Sequence, residues 1–171
     1  IIAREIGETE ITTEDGIEVF QDEKYYLLKK NVKILSDNFN LNAKDVKIDF
    51  DKSLYDITEL NAKGEVNFVS SKFGMSSKSE SFKFEVKTEK LKVNGKNSEL
   101  ITKDIKMYSD GFIEVNNLNG DFKLEGPNSK LINESILIKA EKMDGIFSNI
   151  ENQKEITFLN VIDKKISYIK N

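Results

Sequence analysis

Hydrophobic and polar residues alternate with a period of two over most of this chain. Val32 and Ile34 flank Lys33, Val66 and Phe68 flank Asn67, and Phe82, Phe84 and Val86 are separated by Lys83 and Glu85. Leu91 and Val93 flank Lys92, Phe122 and Leu124 flank Lys123, and Ile136, Ile138 and Ala140 are separated by Leu137 and Lys139. Successive side chains of a strand point to opposite faces of its sheet, so a half-buried strand gives this pattern. No stretch holds a helical period for the roughly 10–12 residues that would define a helix. The pattern predicts an all-β chain of antiparallel strands, each with one buried face.

One stretch, FNLNAKDVKIDF from Phe39 to Phe50, changes phase in the middle. Phe39, Leu41 and Ala43 are odd-numbered, whereas Val46, Ile48 and Phe50 are even-numbered. Neither Gly nor Asn sits at the break. The spacing therefore predicts one strand bent at a bulge at Lys44-Asp45, where it crosses from one sheet to a facing one.

Asp15-Gly16, Asn94-Gly95, Asp110-Gly111, Asn119-Gly120 and Asp144-Gly145 are Asx-Gly pairs, which tolerate positive φ and predict tight hairpin turns. Lys63-Gly64 and Gly126-Pro127-Asn128 add two breaks. None of these glycines opens a helix, so a phosphate-cradling role is disfavoured. A weak repeat links Asn31–Ile34, Glu65–Phe68 and Asp121–Leu124, each followed by a strand-like run. Such repeats suggest stacked units sharing one core. The expectation is a single domain over residues 1–171, without linkers.

Composition narrows the chemistry. Of 171 residues, 38% are hydrophobic and 33% charged, enough for a core if each strand buries one face. The formal net charge is -4 with no basic block, which argues against a nucleic-acid partner. There is no Cys and no His, so thiolate chemistry, imidazole bases and the commonest transition-metal ligands are absent. No catalytic residue, metal or cofactor is assigned. Asp45, Asp49, Asp51 and Asp56 are carboxylate-rich but lack the Gly and distal Glu of a calcium loop, so a solvated face is favoured. Asn133-Glu134-Ser135 matches a glycosylation tripeptide that is common by chance. No run approaches the roughly 20 apolar residues of a membrane-spanning helix.

Four blocks, in order, carry a resemblance. They are Asp15–Phe20, Lys30-Asn31-Val32-Lys33-Ile34, Leu41–Phe50 and Leu60–Phe68. Together they are similar to the OstA-like lipopolysaccharide transport family, whose pattern includes L-x-A-D-x-V-x-Y and I-x-A-x-G-x-V-x-F. Lys30 departs from the usual Gly, and Lys44 interrupts the compact Ala-Asp. Beyond about Gly95 only the rhythm is shared.

The resemblance implies an elongated, slightly open antiparallel β-jellyroll of two facing sheets. It implies a non-enzymatic periplasmic protein of a Gram-negative bacterium, its signal peptide removed, which shelters lipopolysaccharide acyl chains in an apolar groove. Its partners would be LptC-like and LptD-like proteins at the two ends, with head-to-tail self-association. The inward stripe supplies the candidate lining. From the first half these are Val32, Ile34, Phe39, Leu41, Val46, Ile48, Phe50, Val66 and Phe68, then Phe82, Phe84 and Val86. From the second half they are Ile105, Met107, Ile113, Val115, Phe122, Leu124, Ile136 and Ile138.

Alternation alone is equally what a packed sandwich core shows. The alternatives are an LptC or LptD domain of the same family, and a structural β-solenoid or adhesion module with a filled core. Thr9–Thr13 and Ile156–Ile162 are the expected end strands, open to pairing. The competing expectation is that Lys154, Lys164 and Lys165 guard an edge against pairing.

Overall fold

The structure is a computed structural model that describes residues 6–134, 136–150, 153–163 and 167–170. Lys164, Lys165 and Ser135 of the glycosylation tripeptide lie outside the described residues. Among these, sixteen strands form one antiparallel sheet that is not closed into a barrel. They are β1 (Glu10–Thr12), β2 (Ile17–Phe20), β3 (Tyr25–Leu35), β4 (Asn40–Phe50), β5 (Ile57–Ser70), β6 (Met75–Glu85), β7 (Lys90–Asn94) and β8 (Ser98–Thr102). They continue as β9 (Lys106–Ser109), β10 (Phe112–Asn116), β11 (Asp121–Glu125), β12 (Lys130–Ile132), β13 (Ile136–Lys139), β14 (Lys142–Ile150), β15 (Gln153–Ile162) and β16 (Ser167–Lys170).

The first long strands are bent. In β4, Leu41 and Ala43 are buried, Lys44 and Asp45 are both exposed, and burial resumes at Val46, Ile48 and Phe50. The strand and its phase slip are as the sequence predicts, but the extra residue is not in β4. Asn42 pairs with Asn67 and Asp45 with Lys63, so three steps of β4 face four steps of β5. Between Lys29 and Val32, β3 likewise takes one residue more than β4. The added residues are Lys30-Asn31 and Gly64-Glu65, with φ of 67°, 51°, 83° and 48°. Paired left-handed residues turn β3 and β5 sharply, while β4 stays continuous and loses only its phase. A Cβ on Gly64 would lie 2.6 Å from the Lys44 side chain, so the corner has no room for one.

Later strands bend at the same line by breaking. β6 pairs with β8 through Met75–Lys78 and with β7 through Ser81–Glu85. β7 and β8 are thus one strand interrupted at Gly95–Asn97, and β9 with β10, β11 with β12, and β13 with β14 repeat the arrangement. Backbone hydrogen bonds continue the ladder across these corners, from Gly95 N–H to Gly111 O (2.8 Å), Asp110 N–H to Pro127 O (2.9 Å) and Gly126 N–H to Glu141 O (2.9 Å).

The Asx-Gly prediction is corrected here. Only Asn119-Gly120 closes a hairpin, between β10 and β11. Asp144-Gly145 lies inside β14, and the other glycine pairs sit at corners. A sharp corner needs the same left-handed backbone as a tight turn, so residue type does not separate them.

The corner line divides the sheet into two halves that fold onto each other. Half-sheet I holds β1, β8, β9, β12, β13 and β16. Half-sheet II holds β2, β7, β10, β11, β14 and β15, and β3 to β6 contribute one arm to each. Phe73 and Phe84 show the folding. Eleven residues of straight strand would separate them by roughly 36 Å, yet their rings lie 5.6 Å apart, edge to face. A single hydrophobic cluster fills the space between the halves.

Candidate functional site

The candidate lining residues converge on this interior. All are buried except Phe39 and Ile136, which are half-buried and pack against the cluster, and Val86. Val86 is 39% exposed because β6 ends at Glu85, so its predicted inward position is corrected. Among the described residues, the buried polar side chains are seven Ser and Thr together with the Tyr26 phenol, and no Asp, Glu, Lys or Arg is buried. The Ser77 and Ser79 hydroxyls point inward without a protein hydrogen-bond partner.

Aromatic rings join the halves. Phe68 on one half contacts Phe82 (4.7 Å) and Phe84 (6.3 Å) on the other, and Phe39 reaches Phe84 at 6.5 Å. These offset and edge contacts suit the ring quadrupoles. Sequence reasoning left Leu28, Leu60, Leu100, Leu131, Met143 and Phe147 out of the interior, although all are buried. Leu60-Asn-Ala62 carried the same alternation. Phe147 had no such signal, because Gly145 precedes it at the matching position.

The interior is left uncovered at its two ends. At the first, Ile17 and Val19 of β2 pair with Leu28 and Tyr26 and so share their inward face, yet they are 52% and 46% exposed. With Ile11, Leu54, Tyr55 and Ile57 they line a cleft of about 920 Å³. At the other end, Ile156, Leu159 and Val161 of β15 are half-buried against the cluster.

Among the described residues, no charged side chain is fully buried. Lys83 bridges Glu59 (3.3 Å) and Glu85 (3.4 Å), and this pairing with Glu59 raises its pKa. Lys92 lies 4.5 Å over Phe112, and Lys130 lies 4.7 Å over Tyr108. At a corner, hydrogen bonds from the Asn128 side chain and the Asn97 N–H hold the Asp110 carboxyl below its usual range. The four aspartates weighed for calcium disperse. Asp45 accepts from the Lys30 N–H, Asp49 pairs with Lys47, Asp51 with Lys24, and Asp56 accepts from the Lys52 N–H. Among the described residues, no three such ligands converge.

The chain is thus an all-β antiparallel protein whose folded sheet encloses an apolar interior with uncovered ends. No family model matches it, and no curated protein matches it in sequence. Among solved structures it is similar to LptH, the LptA-homologous periplasmic component of the lipopolysaccharide transport device of Pseudomonas aeruginosa. The identity is 13% and the TM-score 0.37, over 95% of this chain and 94% of that one. So loose a superposition leaves function to this chain's own residues.

Proposed function

We propose that this chain shelters lipopolysaccharide acyl chains between its half-sheets and serves as a non-enzymatic periplasmic bridge between inner and outer membrane. One observation carries the proposal: an apolar interior, free of buried charge among the described residues, runs between two ends where inward side chains are left half-covered. The OstA-like blocks at Asp15–Phe20, Lys30–Ile34, Leu41–Phe50 and Leu60–Phe68 support it. An acyl chain gains about 0.8 kcal/mol per buried CH₂, or on the order of 10 kcal/mol for a chain of about twelve carbons. That gain must exceed the cost of parting Phe39, Phe73 and Phe84, which close the middle of the fold.

Photo-crosslinking tests it. A photoreactive phenylalanine analogue at Phe39 or Phe84 is expected to label with lipopolysaccharide, whereas one at the outward Lys47 is not. The ring contacts favour a second reading, a structural module with a permanently filled core. Equal or absent labelling selects that second reading.

We propose LptC-like and LptD-like proteins, and a second copy of the chain, as the partners at the two ends. Among the described residues, β1 and β2 each pair only with β3, while β15 and β16 end the sheet on the other side. Adding strands there extends both half-sheets and covers Ile17, Val19, Leu159 and Val161. Sedimentation over a concentration range is expected to show open-ended assembly. An Ile17→Lys, Val19→Lys double variant, changing half-exposed positions, is expected to remain folded and monomeric. A wild-type chain that stays monomeric at high concentration would sink the bridge.

A further inference from the structure

β14 and β15 continue as a hairpin beyond the sheet that carries them. β14 pairs with β11 up to Ile146, opposite Asp121; the register then shifts, and Phe147–Ile150 pair with β15 alone. This free length does not project into solvent. Phe147 is buried, its ring stacks on Phe122 at 6.3 Å, and its N–H donates to the Gly120 carbonyl at 2.9 Å. Ile156, its partner on β15, packs against the core.

Lys154 then reaches the opposite half. Its backbone N–H donates to the Asp104 carboxylate at 2.9 Å, and its Nζ donates to the Phe73 carbonyl at 2.9 Å. Phe73 lies in the β5–β6 turn and Asp104 in the β8–β9 turn, both at the free edge of half-sheet I. The hairpin belongs to half-sheet II, so it spans the mouth opposite the corner line.

The fastening is weak compared with what it spans. Burial pushes the Lys154 ammonium pKa down, and the Asp104 carboxylate opposes the shift. Among the described residues, the hydrogen bonds that tie the hairpin across the mouth go to one carbonyl and one carboxylate around a single residue, whereas the corner side is a continuous backbone ladder. The shift in register at Ile146/Phe147 gives the hairpin a place to bend without breaking β14 from β11.

We infer that the β14–β15 hairpin is a strap across the mouth of the folded sheet, and that its release at Lys154 opens the interior to an apolar chain. The second half of this rests on the lipid-sheltering proposal. Two measurements separate them. Lys154→Met keeps the stem and removes the ammonium. Amide exchange at Ser148, Asn149, Glu155 and Ile156 is expected to rise about tenfold, with exchange in β4 unchanged. Unchanged exchange at the hairpin, or a uniform rise along the chain, overturns the strap.

Separately, cysteines at 104 and 154 in this cysteine-free chain lock the hairpin as a disulfide. Uptake of a fluorescent lauroyl ester is expected to fall at least about tenfold when locked and to return on reduction. Equal uptake by both forms overturns the strap as the entrance and leaves the groove standing. Uptake by neither form, with exchange still showing release, supports the moving strap and overturns lipid sheltering.

Discussion

Phe68→Ala is expected to lower the free energy of unfolding by about 3–5 kcal/mol. Phe68 is 1% exposed, and its ring meets Phe82, Phe84 and Phe39 at 4.7, 6.3 and 5.8 Å. The side chain stands on half-sheet I while Phe82 and Phe84 stand on half-sheet II, so truncation leaves a void between the halves. Strand arms fixed by their own ladders cannot collapse freely into it, which places the cost in the upper part of the range for core truncations. Urea unfolding should show a lower midpoint with an unchanged slope. Val69→Ala is the control, since its neighbouring side chain is 53% exposed and points outward; it should stay within about 0.5 kcal/mol. A loss below about 1 kcal/mol at Phe68 would mean that the halves are not packed through these rings.

The strands were legible because period-two alternation reports one buried face, and that information is local. Val66, Phe68, Phe82 and Phe84 needed only their immediate neighbours to be placed inward. Val86 misled because alternation says nothing about where pairing stops. The corners were half legible. The slip at Lys44-Asp45 was visible, but the added residues that cause it stand on the neighbouring strands, at Lys30-Asn31 and Gly64-Glu65. A bulge is a relation between two strands, so no single strand records it. Four of the five Asx-Gly pairs failed as hairpin signals for a related reason, since hairpin ends such as Ser71–Gly74 and Val86–Glu89 carry no Asx-Gly pair. The strap was not legible at all. Lys154 meets Phe73 across 81 residues and Asp104 across 50, and neither contact leaves a periodic trace.

The corner makes the sharpest demand on adjacent residues. Val46→Asp is expected to unfold the chain or to cost more than about 4 kcal/mol, whereas Asp45→Ala should stay within about 0.5 kcal/mol. Val46 is 2% exposed and opens the even-numbered run that continues through Ile48 and Phe50. A carboxylate there faces an interior with no buried cation among the described residues, so the acid form is favoured and its folded pKa lies above the unfolded value of about 3.9. The penalty is therefore smallest below about pH 4, where both states are protonated, grows as pH rises from there toward the folded pKa, and levels off above it. Asp45, one position earlier, is exposed and accepts only a long 3.4 Å hydrogen bond from the Lys30 N–H. A strand that kept the odd phase of Leu41 and Ala43 would reverse the result, turning Asp45 inward and Val46 to solvent. Thermal unfolding of the two variants by circular dichroism at neutral and acidic pH therefore reads the phase of β4 directly. Because β4 owes that phase to the left-handed pairs on β3 and β5, it also tests whether the three strands turn the corner together.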